Sequence, residues 1–237
     1  MSNKRILNLT STKKRDNLAY YDPANVSNSE LGISSPGPNT VNVYLYSPTA
    51  RQYENSDDPT DRSRHTVFWK GYREIGNLTT NSSSPWEWRR IVFETKGLRV
   101  EAAHGLTSNG YRRIVAPFGD TDFMNILFEG TAGSDRTRLM QGKVDTNHVK
   151  LHYDKKVVLR SGNDGIHYHQ YKHYFPFNKT MYYDDDESGN SMVSSNWASN
   201  SRKGMGDIYI IDMFRCTDTG VNNMLFSPTA TVYWHEK

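Results

Sequence analysis

The chain has one cysteine among 237 residues, Cys216, so no disulfide can close within it. Set in the apolar run Ile208 to Phe214 and its continuation, that thiol reads as a small buried side chain. No stretch approaches the roughly 18 consecutive apolar residues of a membrane span, and Met1 is followed by polar and basic residues in place of the apolar core of a secretory signal. The protein is therefore expected on the cytosolic side of the membrane, where triplets such as Asn77-Leu78-Thr79 are chance matches to a glycosylation signal. Also missing are Gly-x-x-x-x-Gly-Lys, Gly-x-Gly-x-x-Gly and Gly-x-Ser-x-Gly, which removes the sequence signals for phosphate cradles, dinucleotide sites and a nucleophile elbow. No amphipathic period runs beyond two helical turns.

Acid is absent from the first fifteen residues, which hold Lys4, Arg5, Lys13, Lys14 and Arg15. The chain as a whole carries +3, from 29 Lys and Arg against 26 Asp and Glu; taking those five away leaves 24 basic residues against 26 acidic. The surplus positive charge thus lies in the tail, as it would for a polyanion partner or for a solvated or targeting tail. Residues 16–39 add Asp22-Pro23, a Ser/Asn-rich stretch and Ser34-Ser35-Pro36-Gly37-Pro38, with few apolar side chains. This divides the chain into a basic, flexible N-terminal arm, 1–39, and a folded domain, 40–237.

What is plentiful is aromatic surface. Only 35% of the residues are hydrophobic, yet there are 15 Tyr, 9 Phe and 5 Trp, a mixture suited to strands and wet interfaces. Strand-like runs recur between Gly/Asn/Ser/Asp clusters: Val41 to Tyr46, Thr66 to Leu78, Trp86 to Thr95, Tyr111 to Val115, Asn125 to Phe128, Val149 to Leu159, His167 to Phe175, Gly206 to Cys216 and Thr229 to Trp234. Val149, Leu151 and Tyr153 alternate with Lys150, His152 and Asp154 in a strict period of two. In Trp86 to Phe93 the apolar phase changes at Arg89-Arg90, as at a bulge or a strand leaving a sheet. Eight or nine such strands predict an all-β, two-sheet sandwich.

Three local clusters invite chemistry. His167, His169 and His173 cannot share one ion if they lie on a strand, because the outer two are then roughly 20 Å apart; no metal site and no cofactor is expected. His167-Tyr168-His169 and Tyr153-Asp154-Lys155-Lys156 match two short patterns of metal-dependent rolling-circle nucleases, but in the reverse of that family's order. Asp184-Asp185-Asp186-Glu187 is either a solvated acidic loop or a subunit contact neutralised by a neighbour's cations.

Three blocks resemble the coat proteins of genomoviruses, relatives of geminiviruses with circular single-stranded DNA. Lys4-Arg5-Ile6-Leu7-Asn8-Leu9-Thr10-Ser11-Thr12-Lys13-Lys14-Arg15-Asp16-Asn17 is similar to the segment after that family's basic arm. Pro85-Trp86-Glu87-Trp88-Arg89-Arg90-Ile91-Val92-Phe93 is similar to its Trp-rich strand, and Lys179-Thr180-Met181-Tyr182-Tyr183-Asp184-Asp185-Asp186-Glu187 to its acidic block. The resemblance implies a single eight-stranded antiparallel jelly roll, a sixty-subunit icosahedral shell of identical subunits, a circular single-stranded DNA cargo, and passage through the host nucleus and its import machinery. It implies a virion protein; the missing nucleotide motifs, the reversed order of Tyr153 and His167/His169 and the lack of a membrane span add the expectation of no enzymatic activity and no membrane partner. A departure is that relatives carry a longer basic tract before the Lys-Arg-Ile-Leu-Asn block. Sixty arms of five charges supply 300 positive charges, against on the order of a thousand phosphates in a kilobase circle.

DNA contact is therefore expected from Lys4, Arg5, Lys13, Lys14 and Arg15 and from inner-wall residues Arg112 and Arg113, with Arg89, Arg90, Trp86, Trp88 and Tyr111 as further candidates. The tryptophans read more readily as core. The competing functions are a non-assembling single-stranded DNA-binding or shuttle protein and, behind it, the nuclease.

Overall fold

The computed structural model describes residues 10–35, 37–161, 165–220 and 222–237. Its strands are β1 (Thr12–Leu18), β2 (Tyr20–Tyr21), β3 (Leu31–Ser35), β4 (Asn42–Tyr46), β5 (Thr66–Thr80), β6 (Trp86–Thr95), β7 (Leu106–Thr107), β8 (Gly110–Tyr111), β9 (Arg113–Ile114), β10 (Ala116–Pro117), β11 (Lys150–Leu159), β12 (Tyr168–Tyr182), β13 (Asp186–Ser188), β14 (Ser191–Val193), β15 (Asp207–Cys216) and β16 (Asn222–Glu236). A short α-helix, α1 (Thr121–Leu127), starts where the Asp120 side chain accepts from the amides of Asp122 and Phe123. The fold is mostly β, as the strand-like runs predict.

Two five-stranded antiparallel sheets face each other. The first runs β1-β16-β5-β12, with β3 taking the edge of β16 beyond β1; the second runs β10-β4-β15-β6-β11. Apolar side chains from both inner faces fill the gap, including Trp69, Tyr72, Val92, Ile210 and Trp234 toward one end and Leu78, Trp86, Trp88, Phe214 and Phe226 toward the other. Trp86 and Trp88 are thus core residues, as expected, and Cys216 is buried beside them.

The sheets differ on their outer sides. Ile91, Phe93, Tyr209, Ile211 and Met213 of the second sheet lie under Phe123, Met124, Leu127, Phe128, Met140 and Val144 from the long excursion between β6 and β11. Covered on both faces, β15 and β6 are buried almost throughout, whereas β5 and β16 alternate between buried and accessible positions.

Four expectations need correction. Asn125 to Phe128, read as a strand, form the end of the helix α1 and its cap. Residues 12–18 and 31–35 are not an arm apart from the domain: β1 pairs with Ala230 to Glu236 along its whole length, and β3 with Asn222 to Phe226. Leu18, Leu31 and Ile33 go into the core. Nor does β6 bulge at Arg89-Arg90, since its register with β15 is unbroken. The apolar phase changes there because both faces of β6 are covered, so neither needs to be polar. The bulge lies in β11, between Leu151 and Tyr153, where strict alternation was expected.

Candidate nucleic-acid interface

Several cations expected at DNA are committed to internal partners. Arg113 is fully buried between the sheets, with its guanidinium 2.7 Å from Glu74 Oε2 and 3.0 Å from Asp212 Oδ2. Arg90 completes the square, 2.7 Å from Asp212 Oδ1 and 2.6 Å from Glu74 Oε1. Tyr171, whose hydroxyl donates to Glu74 at 2.5 Å, stands opposite Gly76, where a Cβ would collide with it. Burial alone would push the Glu74 carboxyl up, but Arg113, Arg90 and hydrogen bonds from Tyr171 and Tyr72 outweigh it and hold it well below the usual carboxylate range. Two charges of each sign close on themselves here, and none remains for a phosphate. Arg89 pairs with Asp154 at 2.6 Å, and Tyr111 accepts from the Gln52 amide at 2.6 Å with Arg51 over its ring. Only Arg112 of this group, half-buried, makes no ion pair among the described residues.

The tail cations divide by strand parity. Lys14 points inward and donates to Asp61 O and Ser63 Oγ, each at 2.8 Å, with Glu236 at 3.3 Å. Lys13 and Arg15 point outward and are exposed. Lys4 and Arg5 lie outside the described residues.

Cross-strand register extends the outward row over the whole first sheet. Lys13 stands opposite His235, His235 opposite Phe68 and Phe68 opposite Thr180. Arg15 faces Tyr233; Asn17, Thr231, Arg73 and Tyr174 form the next full row, and Thr229, Ile75 and Lys172 another. Lys70 occupies the irregularity between Trp69 and Gly71 and reaches Asn178 Oδ1 at 2.7 Å. The outward positions of β1, β16, β5 and β12 therefore carry Lys13, Arg15, Lys70, Arg73 and Lys172, the rings of Phe68, Tyr174 and Tyr233, and no Asp or Glu. The acids of these strands are turned inward, Asp16 to Arg51, Glu74 to the buried square and Glu236 to Lys14. A cationic sheet face interleaved with aromatic rings is the arrangement by which single strands are held without sequence preference. Lys70, Arg73 and Lys172 were missed in the sequence because they are dispersed; the signal was the lack of acid at the polar positions of β5 and β12.

The acidic block is partly spoken for. Asp185 is buried against Arg62, with oxygens 2.6 and 2.9 Å from its two terminal nitrogens, and 2.8 Å from His65. Burial raises the Asp185 carboxyl, and hydrogen bonds from Arg62 and the Ser195 amide reverse this into a net lowering. Asp184 pairs with Arg99 at the surface. Asp186 and Glu187 stand exposed on the β13–β14 hairpin, with no ion pair among the described residues. Asp185 already has its counter-ion in the same chain and is not free for a neighbour's cations.

His167 and His169 stack with ring centroids 6.3 Å apart, but the histidine beside Tyr153 is His173, at 3.5 Å from its hydroxyl. Burial and the nearby Arg90 push His173 down to about 4. Among the described residues no three His, Cys, Asp or Glu side chains gather in a metal-sized group. No helix of the described residues is long and apolar enough to cross a membrane. No family model matches the chain, and no curated protein matches it.

Proposed function

We propose that the chain is the coat protein of a geminivirus-like virus with circular single-stranded DNA, and that it encapsidates the genome against the outer face of the first sheet. The observation that carries this reading is that face, whose outward positions on β1, β16, β5 and β12 carry five cations and no acid among the described residues. A monomer gains nothing from such an array of like charge; a polyanion neutralises it.

Connectivity supports an eight-stranded jelly roll. Numbering β1, β4, β5, β6, β11, β12, β15 and β16 as first to eighth, one sheet runs first-eighth-third-sixth and the other second-seventh-fourth-fifth, the order in which a jelly roll folds over. Shells of identical subunits are built on this architecture, and the three blocks resembling genomovirus coat proteins favour a sixty-subunit shell over a soluble shuttle protein. Lys70, Arg73 and Lys172 add three outward cations per subunit to those of the first fifteen residues, toward the charge the arms alone leave unmet. The virion, with passage through host cytoplasm and nucleus, is the location this reading assigns.

Negative-stain micrographs of the purified protein with a kilobase single-stranded circle test it. Closed particles that protect the circle from added nuclease are expected. Binding without particles would replace the coat protein by a shuttle protein, and no binding at low salt would overturn both.

A further inference from the structure

The first sheet's four long strands end together where β1 begins, β16 ends, β5 begins and β12 ends, and there the outward face deepens into a cleft of about 870 Å³. Ligand clefts span roughly 300–1,000 Å³. Lys13, Lys70 and Lys237 line it with Phe68, His235 and Thr180. The one acid at its wall, Glu236, is occupied on its far side by Ser63 Oγ at 2.8 Å, Trp234 Nε1 at 2.8 Å and Lys14 at 3.3 Å. Lys70 Nζ lies 5.6 Å from the Phe68 ring centroid, and the Phe68 and His235 rings are 6.1 Å apart.

Resting on the reading of this face as the DNA surface, we propose that the cleft seats one nucleotide of a single-stranded polynucleotide, its phosphodiester among Lys13, Lys70 and Lys237 and its base against the Phe68 and His235 rings. Three lysines line the cleft and its one acidic side chain, Glu236, is already held on its far side, which leaves the wall attractive to an anion. Burial first, and then Lys70 and Lys13, push the His235 imidazole down. Phe68, half-buried on an exposed face, contributes an aromatic surface that packing alone does not use up. The rung Lys13–His235–Phe68–Thr180 sets charge and ring on adjacent strands, about 4.8 Å apart per strand, a spacing on the scale that separates a phosphate from its own base.

The test is fluorescence anisotropy of the full chain with oligothymidylate and with an abasic strand of the same length, across a salt series. Phe68→Ala should weaken oligothymidylate binding roughly 5- to 100-fold while leaving the abasic strand and the salt slope as in the wild type. Lys13→Gln with Lys70→Gln should lower the slope by about 1.4 for both strands. Equal loss of both strands on Phe68→Ala would overturn the base seat. Displacement by inorganic phosphate as readily as by thymidine monophosphate would overturn it too, leaving only an anion site. If the cleft variants bind as the wild type while Arg73→Gln with Lys172→Gln does not, the cleft fails and the face stands; if no strand binds even the wild type, the face itself fails.

Discussion

The layer between the two sheets and the outer face of the first sheet both hold basic side chains, yet only one neutralises them. Inside, Arg90 and Arg113 meet Glu74 and Asp212 in a closed square, and Arg62 meets Asp185. Outside, Lys13, Arg15, Arg73 and Lys172 have no ion pair among the described residues. A charge removed from water must bring its counter-ion from the same chain, because an unpaired one costs several kcal/mol. A solvated charge carries no such obligation, so its partner can be another molecule. Buried cations therefore belong to the fold, and the exposed, acid-free set is available to a ligand.

The sharpest way to break this distinction is to delete one internal partner. Glu74→Ala leaves two buried arginines facing only Asp212, and a loss of about 3–5 kcal/mol is expected in urea unfolding. Asp185→Asn strands Arg62 in the same way and should fall in the same range. Removing charge across the whole acidic block is therefore a test of folding before it is a test of assembly. In contrast, Lys13, Arg15, Arg73 and Lys172 changed together to Gln should leave unfolding within about 1 kcal/mol of the wild type. Their effect should be on DNA, with the slope of log affinity against log salt falling by about 2.8 and affinity dropping on the order of 100-fold at low salt.

Sequence alone revealed most of the long strands and little of this division. The long strands are visible because aromatic and β-branched residues crowd Thr66 to Leu78, Trp86 to Thr95 and Gly206 to Cys216. β1 was hidden because Thr12–Leu18 has one inward apolar residue, Leu18, and its other deeply inward group is Lys14, which enters only because Glu236 lies beside it. Such partners are far apart in the chain, Arg62 and Asp185 by 123 residues and Arg113 and Asp212 by 99. Arg113 therefore looks like a DNA contact in sequence and is a core residue in the fold. The strand order that suggests a jelly roll was equally out of reach, since local pattern gives strands and not their neighbours.

A smaller effect sharpens the comparison from the acidic side. Asp207 is buried with one oxygen on the Ala198 amide at 2.9 Å and the other without a hydrogen-bond donor, and burial pushes its carboxyl up to about 7. The folded chain then keeps this proton between about pH 4 and 7 while the unfolded chain has lost it, so stability falls as pH rises through that window. Asp207→Asn should flatten the fall by about 2 kcal/mol between pH 5 and 8, read from unfolding midpoints. The smallest change is expected of Asp184→Asn, whose partner Arg99 is as open to solvent as itself; no more than about 1 kcal/mol should be lost.

Lysine acetylation read by mass spectrometry, with and without a short single-stranded oligonucleotide, tests the central claim most directly. Lys13, Lys70 and Lys172 on the bare face should be protected by DNA, while exposed Lys143, in the excursion that covers the second sheet, reacts equally in both samples. Protection of Lys143 with Lys13, Lys70 and Lys172 left reactive would contradict it.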